Sequence, residues 1–202
     1  MDKSMESVLE KLKGIEHGFK HIIDAGEILL ATKTLNHFEV AEQLLSGASY
    51  QERMLAVHLL GKFSANEPRA LKILESRAAT DINWRVQEML AKAFDQYCED
   101  IGYEKSLPKI QAWLADPNPN VKRAVIEGLR IWTARPYFDQ HPEKAIAMIS
   151  QHKADESSYL RKSVGNSLRD ISKKFPVLVS TEISTWDDTD KKIAFTKKLV
   201  LK

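Results

Sequence analysis

The chain has one cysteine, Cys98, so it holds no internal disulfide and no multi-cysteine zinc site. The thiol sits in Tyr97-Cys98-Glu99-Asp100, beside acids that disfavour a thiolate, and reads as structural. Glycine (8) and proline (7) are scarce in 202 residues, which argues against a many-turned all-β fold. No apolar run approaches the length of a membrane span. The start, Met1-Asp2-Lys3-Ser4, lacks a basic segment followed by an apolar core, so no signal peptide is expected and a cytoplasmic location fits. Glycine-rich phosphate loops, a Gly-x-Ser-x-Gly elbow and a His-Glu-x-x-His pair are all missing. The six histidines show no zinc-ligand spacing and are expected at the surface or at helix ends. No metal and no cofactor is implied.

What the chain does have is 43% apolar and 29% charged residues, enough for a packed core under a well-solvated surface. The net charge of +2 hides an asymmetry. Residues 1–100 carry 12 Lys/Arg against 16 Asp/Glu, and residues 101–202 carry 18 against 12. A basic half points weakly to an anionic partner.

Pro68, Pro108, Pro142 and Pro176 each precede an apolar helical run. Proline is tolerated in a first helical turn because its missing N–H has no intrahelical partner there. Polar connectors follow, at Asp81-Ile82-Asn83, Asp116-Pro117-Asn118, Asp155-Glu156-Ser157 and Asp187-Asp188-Thr189, and read as helix stops and caps. Five residues after the first three of these aspartates a second helix begins a stripe at i, i+4, i+8 and i+11. The stripes are Val86-Leu90-Phe94-Tyr97, Val121-Val125-Leu129-Trp132 and Leu160-Val164-Leu168-Ile171, with an earlier copy at Leu55-Leu59-Phe63. At 100° per residue each stripe spans an arc of about 80°, one buried face.

Copies offset by 31, 35 and 39 residues predict an all-α solenoid of HEAT-like helix pairs. The expected organisation is one domain over 1–202: an irregular helical cap (1–34), repeats (35–190) and a last short helix (191–202). Helices are expected near 4–12, 17–31 and 35–46. Trp113, Trp132 and Trp186 fall on apolar stripes and are expected in the core.

Opposite each stripe, the helical wheel places Trp84, Glu88, Lys92 and Asp95, then Arg123, Glu127 and Arg130, then Lys162, Asn166, Arg169 and Lys173. If second helices line a concave side, these residues form a basic groove. Trp84 and Glu88 stand out there as a large aromatic and a carboxylate one turn apart. Stacking, charge chemistry and phosphate clamping on one face suit a nucleic-acid ligand.

The segments Trp84-Arg85-Val86-Gln87-Glu88-Met89-Leu90, Val121–Gly128 and Leu160–Ile171 resemble the HEAT-like DNA alkylation-repair family, the alkylpurine DNA glycosylases of the AlkC and AlkD kind. The resemblance covers about residues 35–190. It implies a basic concave face for duplex DNA and excision of N3- or N7-alkylated purines by a monofunctional glycosylase. Residue by residue, it assigns Trp84 to the family's active-site tryptophan and Glu88 to the AlkD-branch catalytic aspartate. Glu127 matches a functional glutamate of the AlkC branch. It gives Arg123 and Arg169 to the DNA backbone. Arg85, Lys92, Arg130, Arg161, Lys162, Asn166 and Lys173 complete the expected DNA contacts. Glu stands for Asp at 88, and Asn166 stands where the AlkD branch has a second tryptophan, as in the AlkC branch. The expected partner is duplex DNA, with a monomer and no membrane. The alternative is a non-catalytic HEAT-repeat scaffold that binds nucleic acid or protein on the same face.

Overall fold

A computed structural model describes residues 3–202; Met1 and Asp2, part of the start read for a signal, lie outside them. Among the described residues there are thirteen α-helices and no strand. The chain divides into two compact units, one ending at Ile101 and one spanning Gly102–Lys202.

The first unit holds α1 (Lys3–Lys13), α2 (Lys20–Ala31), α3 (His37–Leu45), α4 (Tyr50–Phe63), α5 (Pro68–Ser76) and α6 (Trp84–Ile101). Helices α3 and α5 each pack on α4, and α4 packs along α6. The α4–α6 approach is close: a Cβ at Gly61 would stand 2.8 Å from Ala93 Cα, nearer than carbon atoms tolerate. Only glycine lets the two backbones meet there.

The second unit holds α7 (Leu107–Leu114), α8 (Pro119–Trp132), α9 (Pro136–Gln140), α10 (Pro142–Ser150), α11 (Ser158–Ser172), α12 (Pro176–Ser184) and α13 (Lys191–Val200). Helix α7 packs on α8, α10 on α11, and α8 and α13 flank α11. This is the expected fold class, helix pairs of the HEAT-like kind. Pro68, Pro108, Pro142 and Pro176 lie in the first turns of α5, α7, α10 and α12. The five-residue α9 is too short to leave a periodic signal and was not foreseen.

The stripes form the core. Val86, Leu90, Phe94, Val121, Val125, Leu129, Trp132, Leu160, Val164, Leu168 and Ile171 are all buried, and only Tyr97 and Phe63, at stripe ends, are half-buried. Each buried aliphatic of this kind contributes about 1.5–3 kcal/mol relative to exposure. Trp113, Trp132 and Trp186 are buried as expected, and so is Cys98. One histidine departs from expectation: His58 lies in mid-α4 and its ring fills the space that a Cβ at Gly26 would need. The absence of a side chain at Gly26 makes room for it, and burial lowers its pKa, with Lys62 reinforcing and Glu27 opposing.

The connectors share one hydrogen-bond pattern. The carboxylates of Asp81, Asp116, Asp155 and Asp187 each accept the backbone N–H two residues on, at 2.7–2.9 Å. In the first three connectors that residue then caps the helix: Asn83 accepts from Arg85 N–H, Asn118 from Asn120 N–H and Ser157 from Leu160 N–H. Two side chains, two residues apart, thus satisfy donors that the turn and the helix start would leave bare.

Candidate nucleic-acid interface

In the first unit the site grows from the start of α6. Asn83 caps the helix, which sets Trp84 in its first turn with half its surface in solvent (51% exposed). The Arg85 guanidinium lies 4.4 Å from the Trp84 ring centroid and 5.2 Å from that of Tyr50, with Nη2 3.3 Å from His17 Nδ1. Arg85 therefore backs the indole and is itself held by Tyr50 and His17. A cation over the indole face contributes about 0.5–1 kcal/mol at an exposed place. One turn on, Glu88 is half-buried on the same helix. Lys92, a further turn along, is exposed, and its ammonium lies 5.4 Å from the Phe19 ring centroid.

The second unit holds its candidates differently. Arg123 is buried (7% exposed). Its Nε donates to Ser163 Oγ at 3.1 Å, its guanidinium lies 4.6 Å from the Tyr159 ring centroid, and it stands 3.6 Å from Glu127. Glu127 also meets Arg130 at 3.3 Å. Arg130 in turn donates to Asp170 at 3.1 Å, and Asp170 accepts from Lys173 at 2.9 Å. The hydrogen bond from Lys173 holds the Asp170 carboxyl below its usual range against the pull of burial, and Arg130 adds to the effect. Four groups expected to face a ligand or solvent, Arg123, Glu127, Arg130 and Lys173, are joined through Asp170 in a chain of ion pairs across α8 and the end of α11.

The remaining predicted residues split by environment. Lys162 is exposed on α11, and Asn166 and Arg169 are half-buried there. Arg161 donates to the backbone carbonyls of Asp155 and Glu156 and stacks 5.5 Å from the Phe195 ring centroid, which ties it to its own connector. Lys122, not singled out from sequence, donates to Asp155 at 2.9 Å.

Sequence reasoning missed Tyr50, His17, Tyr159, Ser163 and Asp170. Tyr159 immediately precedes its stripe, the place that Arg85 holds in α6, and 42% of it is exposed. A large aromatic at an exposed helix start is the signal that would have found it. Tyr50 opens α4 in the same way.

Chemically, the first unit presents an aromatic face, a carboxylate one turn away and cations around both. The second presents lysines and half-buried polar groups beside a carboxylate already flanked by two arginines.

Comparison with known proteins gives the family. The chain is 43% identical to AlkD2 from Streptococcus mutans, whose crystal structure superposes with a TM-score of 0.92 over 99% of this chain and 97% of that one. The alkylpurine DNA glycosylase AlkC of Pseudomonas fluorescens, solved bound to DNA containing an abasic site analog, shares the fold at 23% identity and a TM-score of 0.51, over 91% of this chain and 60% of that one. The YhaZ protein of Bacillus subtilis (strain 168) is 29% identical over 120 residues, 53% of this chain; that match spans about a third (34%) of the length of YhaZ. Residues 25–196 match the model of the DNA alkylation repair enzyme family, and the chain belongs to that family.

Proposed function

We propose that the protein binds duplex DNA and acts as a DNA glycosylase on N3- or N7-alkylated purines, with Glu88 as the working carboxylate. The observation that carries this reading is the start of α6: an exposed Trp84 ring backed by Arg85, with Glu88 one turn further on. An alkylated purine already bears positive charge. The C1′–N bond breaks with its electron pair going to the purine, which leaves neutral. The sugar is left as an oxocarbenium-like cation. A carboxylate stabilises that cation and takes the proton of the water that adds to C1′. An indole face adds cation–π attraction. Glu127 is the second candidate, and its two arginine partners neutralise the charge that such a role needs.

The test is release of methylated purines from alkylated duplex DNA by the purified protein. Glu88→Gln keeps the volume and removes the charge. It is expected to leave DNA binding intact and to slow release by about 10²-fold, the scale of one preorganised electrostatic contact. Normal release by Glu88→Gln with none by Glu127→Gln would move the chemistry to α8.

One observation favours a second reading, a non-catalytic DNA-binding member. Arg123, Glu127 and Arg130 satisfy one another within the protein. Tight binding of DNA with no base release would select it.

A further inference from the structure

The last helix of the second unit is strongly cationic. Helix α13 holds Lys191, Lys192, Lys197 and Lys198 and no acidic residue. These lysines are of two kinds. Lys192 pairs with Glu156, and Lys197 donates to Asp188 at 2.8 Å with only 19% of its side chain exposed. Lys191 and Lys198 are exposed instead, and so is Lys202 just past the helix end. At 100° per residue Lys191 and Lys198 lie about 20° apart, across the helix from buried Val200. Lys198 and Lys202 share one shallow hollow with Ala194 and Leu201.

This lysine face opens on the same side as the polar face of α11. The two helices run parallel: Lys192 meets Glu156, Phe195 stacks on Arg161 and Leu199 lies against Gly165, so the paired residues climb together. A Cβ at Gly165 would stand 2.5 Å from Leu199 Cβ, so the contact is close. On α11, Lys162 and Arg169 lie opposite buried Leu160, as Lys191 and Lys198 lie opposite Val200. Parallel helices packed side by side with their buried faces turned to one core present their opposite faces together. On α8, by contrast, Arg123 and Arg130 are engaged by Glu127 and Asp170. The outward cations of this side thus shift from α8 toward α11 and α13.

We propose that Lys191, Lys198 and Lys202 bind phosphates of one DNA strand, so that the duplex footprint runs past α11 onto the last helix. At about 1.5 Å per residue Lys191 and Lys198 stand about 10 Å apart along α13, a span that two flexible ammonium groups can match to nearby phosphates of a strand. Neighbouring helices lie about 8–10 Å apart, so α13 adds about two to three base pairs to a duplex that crosses the row. This rests on the DNA-binding reading above and adds to it a place: where the footprint ends, and which lysines hold it there.

The experiment uses the full chain and two double variants of equal net charge, Lys191→Gln with Lys198→Gln, and Lys192→Gln with Lys197→Gln. Binding to one undamaged duplex is followed by fluorescence anisotropy over a series of salt concentrations. In the first variant the plot of log affinity against log salt is expected to flatten by about 1.8, and affinity at about 0.1 M salt to fall roughly tenfold or more. In the second the slope should change by less than about half as much, because those lysines are held by Glu156 and Asp188. Since Lys191 and Lys198 are exposed, thermal unfolding of the first variant should match the parent. A parent-like slope in the first variant overturns the lysine strip alone. Equal flattening in both variants also overturns it, because the helix would then act by its overall charge and not through placed contacts. Failure of the parent to bind duplex DNA at low salt overturns the DNA-binding reading and the strip with it.

Discussion

Two residues past the first stripe position, α6 carries Glu88, α8 carries Arg123 and α11 carries Lys162. By helical angle the three are equivalent. In the second unit, Lys162 is exposed while Arg123 is buried among Ser163, Tyr159 and Glu127. The difference arises from the neighbouring helix. Ser163 is small, buried and hydroxylated, so α11 offers the guanidinium both room and an acceptor, and Tyr159 closes over it. In the first unit the arginine beside the stripe, Arg85, instead lies between two rings and next to a histidine at the surface. A charged residue on the polar side of a repeat helix can thus be an internal tie or an outward group, and its angle alone does not say which.

The sharpest test of this contrast is stability. Arg123→Ala leaves Glu127 with one partner and Ser163 Oγ without its donor, in a buried setting, and should cost about 3 kcal/mol in urea unfolding. Arg85→Ala removes an exposed cation–π contact and should cost under about 1 kcal/mol. Equal costs would erase the distinction.

DNA affinity gives the next largest effect. If phosphates are neutralised by the outward groups, Lys92→Ala and Lys162→Ala should each flatten the plot of log affinity against log salt by about 0.9. Arg161→Ala should leave that slope unchanged, because its guanidinium is occupied by the carbonyls of Asp155 and Glu156. A slope change at Arg161 and none at the lysines would reverse the assignment.

Acid should act on both units through half-buried histidines. Burial lowers the pKa of His152, with Lys122 reinforcing and Asp155 opposing, and burial lowers that of His58 as well. A histidine with a depressed folded pKa binds its proton first in the unfolded chain, so stability falls as pH drops below about 6.5. Asp155 acts lower. Burial works against its charge, yet the Lys122 hydrogen bond and the Ser157 N–H outweigh it and bring its pKa down. Its contribution is present above about pH 4 and lost as pH falls further, through its folded pKa. The midpoint of urea unfolding should therefore fall between pH 7.5 and 5.5, and fall less in His152→Gln. An unchanged midpoint in the parent would mean that neither ring resists protonation.

Much of the fold is legible in the chain because its signals are local. Proline in a first turn, an aspartate two residues before a cap, and a stripe five residues after that aspartate each depend on neighbours within one or two turns. Trp84 was also legible as an outward aromatic on the same grounds. What escaped was decided by partners far along the chain. The burial of Arg123 depends on Ser163, 40 residues on, and the setting of Arg85 depends on His17, 68 residues before it. The placement of His58 depends on the missing side chain of Gly26.

The repeated aspartate turn bears on how such an array changes length. From the connector aspartate to the first stripe residue the spacing is five in each of the first three connectors, while successive copies lie 31, 35 and 39 residues apart. The differences in length therefore lie outside the turn-and-cap segment. That segment is closed by hydrogen bonds spanning two to six residues, such as Gln87 to the Asp81 carbonyl and Arg161 to that of Asp155. It keeps its register whatever is added upstream, as the extra helix α9 ahead of α10 illustrates. Contacts of such short range also form early and cheaply in a folding chain. The turn thus sets the register of each second helix on its own: the stretch before it can differ in length without shifting the residues that the second helix presents.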